Sequence, residues 1–220
     1  MSKTKIEYVD QNWNIITGCR VGCEYCYARK MNNRYKWQDD FSIPIFHPER
    51  LIEPQKIKEP STFLTCTMGD IAETTKEQME SITTIIERAG KSNGHRFLFL
   101  TKKQRWYDDT EYFPDNVILG HSTTAGIVST ILHRRHKNLS FVSIEPLLDE
   151  IKIIGEYSPD WIVVGGLSPK PVHKKEWVDN IIKQARQFKI PIFLKNNLHY
   201  PEKIQEFPSN FIPHKYIKER

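Results

Sequence analysis

The chain has 220 residues, enough for one sizeable domain, and 27% of them are charged, as in an ordinary soluble protein. Its net charge of +5 suits a substrate that carries phosphate but does not by itself indicate nucleic-acid binding. No apolar run is long enough to cross a bilayer, and the first residues lack the apolar stretch of a signal peptide. We therefore expect a single domain, residues 1–220, in the cytoplasm, with no membrane partner.

Three of the four cysteines, Cys19, Cys23 and Cys26, stand together with the spacing C-x3-C-x2-C. In a reducing compartment, clustered cysteines are more often metal ligands than disulfide partners. Three thiolates are one short of an ordinary [4Fe–4S] site, so one iron would stay open to a small molecule. The alternative is zinc, completed by Cys66 or a histidine, although structural zinc sites prefer C-x2-C pairs. Cys66 itself lies in an apolar run and is interpreted as a small buried residue.

The segments on either side of these cysteines are predicted to be a strand, a helix and an irregular connection. A short strand near 14–17 leads into the cysteine loop, and a helix follows from Glu24 to Tyr35. Cys26 is expected in the first turn of that helix, where the helix dipole favours a thiolate. Four prolines within 38–60 then predict an irregular connection with at most a short turn of helix.

The rest of the chain alternates short apolar runs with helical patterns, which is typical of parallel strands buried on both faces. The predicted strands cover 62–67, 97–100, 116–120, 139–144, 161–164 and 190–194. The predicted helices cover 76–89, with Gly90 as the stop, 125–136 and 174–188. This alternation predicts an α/β fold and permits a partial barrel of about six parallel strands.

Each predicted strand ends in small or polar residues. In barrels of parallel strands, the carboxyl ends of the strands form the active-site face. The sequence therefore predicts a polar mouth with the cysteine loop at its rim. Any strand needs polar residues where it reaches water, but three of these charges directly follow or nearly follow a buried run. The clusters are Thr67/Asp70, Thr101/Lys102, His121/Ser122, Ser143/Glu145, Gly165/Gly166 and Lys195/Asn196.

With the aromatic Tyr25 directly before the third cysteine, the cysteine spacing resembles the signature of radical S-adenosylmethionine (SAM) enzymes. Most of the chain also resembles a phage-encoded radical-SAM-like family whose neighbouring gene product is the three-Cys-motif partner protein. The matching stretches are Trp13-Asn14, Thr17-Gly18-Cys19, Gly22-Cys23, Cys26-Tyr27-Ala28, Met68-Gly69-Asp70, Leu100-Thr101-Lys102, Leu119-Gly120 with Ser122, 143–148, Asp160-Trp161, Val164-Gly165-Gly166, and Phe193 with Lys195. Two stretches depart from the pattern, Leu167-Ser168-Pro169 and Asn196-Asn197.

The resemblance implies a (β/α)6-type partial TIM barrel, the radical SAM core, with a [4Fe–4S] cluster on the three clustered cysteines. It implies that SAM on the open iron is cleaved to a 5′-deoxyadenosyl radical, which takes hydrogen from a substrate. A one-electron reductant of the flavodoxin or ferredoxin type is then a partner. The implied cofactor contacts are Tyr25, Gly69, Asp70, Ser122, Ser143, Glu145 and Gly165.

Lys102 and Lys195 are the candidate catalytic residues. Either could hold a substrate phosphate or carboxylate, and Lys195 could donate a proton. The phage setting and the basic charge suggest a nucleotide or DNA base in the host cytoplasm, for example a rearrangement of a hypermodified pyrimidine, with a partner protein to present it. The alternative is a non-catalytic nucleic-acid-binding or scaffold module stabilised by zinc or an iron–sulfur cluster.

Several of these residues also have structural interpretations. Asp70 could cap a helix, and Gly165 could simply serve a tight turn. Ser122 could face solvent, and the basic run 133–137 is interpreted first as a solvated helix face.

Overall fold

The computed structural model describes residues 2–130 and 136–218. Its strands there are β1 (Ser2–Lys3), β2 (Gln11–Trp13), β3 (Ile16–Thr17), β4 (Ile45–Phe46), β5 (Thr62–Thr65), β6 (Arg96–Thr101), β7 (Val117–Thr123), β8 (Gly126–Val128), β9 (Ser140–Ile144), β10 (Ile151–Ile153), β11 (Trp161–Val164) and β12 (Ile192–Leu194). Its helices are α1 (Tyr27–Tyr35), α2 (Lys76–Asn93), α3 (Trp106–Asp109), α4 (Lys175–Gln187) and α5 (His214–Lys218). No helix within these residues is long and apolar enough to cross a membrane.

Eight strands form one sheet in the order β1-β2-β5-β6-β7-β9-β11-β12. Only β1 runs antiparallel to its neighbour β2, and the seven strands from β2 to β12 are all parallel and curl into a half-barrel. Every residue of β5, β9, β11 and β12 is buried, as expected for parallel strands covered on both faces. The predicted α/β partial barrel is therefore confirmed, with one strand more than the expected six.

The additional strand comes from the segment before the cysteine loop. The sheet strand there is β2, while residues 16–17 form β3 and pair with β4 in a separate two-stranded sheet. The strand predicted near 14–17 is therefore present as β3, but it lies outside the main sheet, whose strand here is the preceding β2. Trp13 explains the difference, because its fully buried ring packs against Phe97 and draws the preceding residues into the main sheet.

The two faces of the sheet carry different cores because alternate strand residues point to opposite sides. Phe63, Phe97 and Phe99 pack with the apolar side of α2, and residues of β11 and β12 pack with α4 on the same principle. The opposite face is covered by aromatic rings that come largely from the chain ends. These include Tyr8, Phe207 and Phe211, which surround Trp161 of β11.

The helix predicted over 174–188 is confirmed as α4, and the helix predicted from Glu24 to Tyr35 is confirmed as α1, which begins three residues later, at Tyr27. By contrast, α2 continues through Gly90 and ends at Gly94, whose φ is +67°. Gly90 lies inside the helix because the Asn116 side chain crosses it, donating to the carbonyls of Ile86 (2.9 Å) and His95 (3.0 Å). A methyl group at Gly90 would collide with that amide.

Of two further segments, 125–136 differs from the helix predicted there, and 38–60 agrees with the predicted irregular connection. In place of a helix over 125–136, residues 126–128 form β8, which pairs in parallel with β10. Residues 131–135 of that predicted helix, and with them most of the basic run 133–137, lie outside the described residues. The segment 38–60 is irregular as expected, with β4 and single 3-10 turns at Pro48–Arg50 and Pro54–Lys56.

Candidate cofactor and active site

The carboxyl edge of the parallel sheet gathers the predicted polar residues. Register pairs Thr101 with His121 on β6 and β7, and Ser122 with Ser143 on β7 and β9. The neighbouring strands β9, β11 and β12 are directly followed by Glu145, Gly165 and Lys195, respectively. The edge of the sheet therefore brings together residues that are far apart in sequence, for example Thr101 and Lys195, which are 94 positions apart.

The cysteine loop is attached to this edge through its backbone. The Gly18 amide donates to the Met68 carbonyl (2.9 Å), and Gly18 and Gly69 form a parallel bridge. A β-carbon on Gly69 would lie 2.8 Å from the Ile16 carbonyl oxygen and 2.9 Å from that of Gly18. Gly69 is therefore needed for the close approach of two backbones.

Asn14 also connects the segment before the cysteine loop to the loop after β5. Its Oδ1 accepts hydrogen bonds from the Met68 amide (3.0 Å) and from the Thr67 hydroxyl (3.0 Å). The Trp13-Asn14 pair was noted in the sequence only as part of a resemblance. In the structure, the Asn14 side chain holds the loop after β5 next to the cysteine loop.

A third attachment is ionic and centres on Glu73, whose side chain is almost fully buried. It accepts from the amide (3.1 Å) and guanidinium (2.8 Å) of Arg20 and from Lys103 Nζ (2.6 Å). Burial alone would raise the pKa of Glu73, but the bonds from Lys103 and Arg20 bring it below its usual value. Sequence reasoning missed Glu73, because nothing in its local pattern distinguishes it from a solvated charge near a helix start.

Cys19, Cys23 and Cys26 are free thiols that are neither fully buried nor fully exposed. Together with Cys66 they line one cavity of about 210 Å³ at the sheet edge. Among the described residues, no three His, Cys, Asp or Glu side chains are already drawn together around a single point. The cysteines therefore share a cavity without forming a closed ligand set.

The individual thiols have different surroundings. Cys26 caps α1 rather than lying in its first turn, and its Sγ accepts from the Arg29 amide (3.3 Å). Cys19 Sγ accepts from the Val21 amide (3.4 Å), although burial raises its pKa to about 11. Burial raises the pKa of Cys66 to about 12, which agrees with its interpretation as a small buried residue.

Asp70 and Lys102 lie in the wall of the same cavity. Asp70 accepts from the amides of Ala72 (3.0 Å) and Lys102 (3.1 Å), and burial raises its pKa. It thus caps the turn after β5, the structural role considered for it. Lys102 Nζ donates to Ser122 Oγ (2.9 Å) and lies 5.4 Å from the centre of the Tyr25 ring. Burial lowers the pKa of Lys102, against the effect of nearby acidic groups.

Glu145 and Lys195 form an ion pair at the ends of β9 and β12. Gly165, directly after β11, has no side chain to obstruct the pair: a β-carbon there would lie 2.8 Å from Glu145 Oε1. Ser143, two residues before Glu145, is buried and lies near the hydroxyl of Tyr8. Of the two candidate lysines, Lys195 is therefore already neutralised by a carboxylate, whereas Lys102 lines the cysteine cavity.

The stretches that depart from the resembled family meet each other in space. Asn197 accepts from the Gly166 amide (3.1 Å) and donates to the Gly166 carbonyl (2.8 Å). A β-carbon on Gly166 would lie 2.6 Å from the Asn197 carbonyl oxygen. Asn197 Nδ2 also lies 3.4 Å from Ser168 Oγ, to which it donates, so the two departures, 167–169 and 196–197, are neighbours in space, which sequence alone did not indicate.

These features define an α/β half-barrel protein with a three-cysteine loop and a polar cavity at the carboxyl edge of its sheet, a frame that is compatible with an enzyme. The chain belongs to the family described as "Protein of unknown function (DUF5131)", whose model matches residues 3–209. Neither the curated proteins nor the solved structures yielded a match to the chain.

Proposed function

We propose that this protein is a radical SAM enzyme that acts on a nucleotide or a DNA base. The observation that carries the proposal is the shared cavity. The three cysteines of the loop line the same space as Asp70, Lys102 and Ser122, which come from the ends of three parallel strands. A metal-ligand triplet and polar side chains from several strands are the parts that such an enzyme needs in one place.

The donor set fits a [4Fe–4S] cluster with one open iron. Each of the three thiolates would bind a different iron atom, so they need not converge on one point as the ligands of a single ion must. Cys26 caps the start of α1, where its Sγ accepts a hydrogen bond from the Arg29 amide and faces the cavity that the other two cysteines line. When bound, the cluster and SAM would supply a 5′-deoxyadenosyl radical that abstracts hydrogen from the substrate.

The chain's own residues would bind and orient the ligands. Lys102 lines the cavity and is held by Ser122 and Tyr25, so its Nζ is placed to contact a carboxylate or phosphate there. At the ends of β9 and β12, the Glu145–Lys195 pair would bind hydroxyl or charged groups of the ligand. The wall made by Leu64 and Leu100 would keep water from the reacting groups.

The test is anaerobic reconstitution with iron and sulfide, followed by reduction with dithionite or flavodoxin in the presence of SAM. We expect a [4Fe–4S] absorption spectrum and release of 5′-deoxyadenosine. Cys23→Ala should lose both. Cys66→Ala is the matched control, since Cys66 lines the same cavity but is not an assigned ligand, and it should keep both.

Other results would point elsewhere. A colourless protein with stoichiometric zinc would contradict the proposal and favour the metal-stabilised binding module. A cluster that never yields 5′-deoxyadenosine would favour a scaffold. If the enzyme reaction occurs, the substrate is sought by incubating the reduced enzyme with nucleosides and DNA and measuring SAM-dependent changes in mass or isomer composition.

A further inference from the structure

An exposed stack of flat side chains stands at the end of α1. Lys36 ends the helix in the left-handed conformation (φ 53°), and the turn brings Trp37 back over Tyr35. The two rings are stacked, with centroids 5.5 Å apart and planes 10° apart. The Arg34 guanidinium lies 5.2 Å from the Tyr35 centroid. We refer to Arg34, Tyr35 and Trp37 as the aromatic platform.

The platform is not part of a hydrophobic core. Tyr35 is 50% and Trp37 57% exposed, and neither belongs to a core cluster of the described residues. Trp37 also borders a cavity with Phe41 and Ile45, but at least half of the surface of each ring residue remains in water, which is unfavourable unless something else covers it. The end of the stack, the indole of Trp37, is thus available to a further flat group.

A basic strip joins the platform to the cysteine cavity. Tyr27, Lys30 and Arg34 follow each other at spacings of three and four residues, which places them on one face of α1. Tyr27 lines the cavity and is 59% exposed. From Tyr27 to Tyr35 the helix rises about 12 Å. The segment 27–36 holds four Lys or Arg and no Asp or Glu, which is a net charge of +4.

We propose that the aromatic platform and the basic strip bind single-stranded nucleic acid. A base would stack on Trp37, and backbone phosphates would pair with Lys30 and Arg34. Stacking on an aromatic ring combined with cations along the backbone is the general chemistry of such binding. That the bound strand leads a nucleotide towards the cavity rests on the proposed function, whereas the binding itself does not.

The test measures fluorescence anisotropy of a labelled single-stranded oligonucleotide of about 12 nucleotides, with purified protein and no SAM or reductant. Trp37→Ala should weaken binding roughly 5- to 150-fold. Tyr112→Ala is the matched control, because Tyr112 is similarly exposed (56%) but lines a different cavity, and it should leave binding unchanged. Lys30→Gln and Arg34→Gln should each reduce the salt dependence by about one counterion.

Several outcomes would overturn the proposal. Absence of binding would do so, as would a Trp37→Ala protein that binds like the wild type and so interacts by charge alone. Binding to anionic lipid vesicles but not to the oligonucleotide would assign the surface to a membrane instead. Because 5′-deoxyadenosine release is measured separately, the platform can fail while the proposed function stands, and the reverse also holds.

Discussion

Replacing Gly69 with alanine tests whether the cysteine loop is held by close contact of two backbones. The new methyl group would lie 2.8 Å from the Ile16 carbonyl oxygen and 2.9 Å from that of Gly18. Ordinary carbon–oxygen contacts are about 3.3 Å or longer, so one backbone must move by about half an ångström. Both oxygens belong to the backbone and not to flexible side chains. The movement must therefore strain the hydrogen bond from the Gly18 amide to the Met68 carbonyl.

Overpacking of this kind costs about 1–3 kcal/mol in the free energy of unfolding. For a chain of this size, that corresponds to a fall in Tm of about 2–12 °C, measurable by circular dichroism or calorimetry. Because the contact positions Cys19, we also expect less iron per chain after anaerobic reconstitution. The second measurement separates an effect on the cysteine loop from a general loss of stability.

Gly126→Ala is the control for this variant. Gly126 has a φ of +83° but nothing within 4 Å of a β-carbon, so it tests conformational strain without a collision. Its cost should be about 1–2 kcal/mol, with iron content unchanged. If Gly69→Ala matched the wild type in Tm and iron content, the close contact would not be what holds the cysteine loop.

Three further changes probe separate parts of the frame. Asn14→Ala leaves the Met68 amide without its acceptor and should cost about 1–3 kcal/mol, seen as a lower urea midpoint with an unchanged m-value. Burial lowers the pKa of His95, so stability should fall as pH drops below about 6.5, where the unfolded chain takes up the proton first. His95→Gln should reduce the difference in Tm between about pH 7.5 and pH 5.5, and an unchanged difference would contradict this assignment. Glu73→Ala frees Arg20, so trypsin should cut there faster, and an unaltered rate would show that the ionic attachment is dispensable.

The fold was largely predictable because its signal is local. Buried parallel strands appear as short apolar runs, and six such runs gave six strands of the sheet. Helix ends were less predictable because tertiary contacts override local preference. Glycine is a residue type that commonly ends helices, yet α2 continues through Gly90. A glycine is needed there because the side chain of Asn116, 26 residues further on, crosses the helix at that point.

The site was predictable in its members but not in its connections. Parallel topology made it possible to expect Lys102, Glu145 and Lys195 at one edge. No pattern indicated that Glu145 would neutralise Lys195, or that Asp70 would use its oxygens on backbone amides. Such pairings depend on which side chains meet across loops, and single-sequence periodicity carries no information about that.

The attachments of the cysteine loop would prepare the proposed cluster site without a preformed ligand set. The loop backbone is fixed by Gly69, by Asn14 and by Glu73, three contacts of different chemistry. The thiols line the cavity outside any disulfide, and each is held by no more than a single amide hydrogen bond, from Val21 to Cys19 and from Arg29 to Cys26. Ordering such a short side chain costs less than about 1 kcal/mol, whereas ordering each backbone residue costs about 1–2 kcal/mol. Most of the entropy cost of assembling a cluster would therefore be met when the protein folds, which is the pre-organisation that a cofactor-loading site requires.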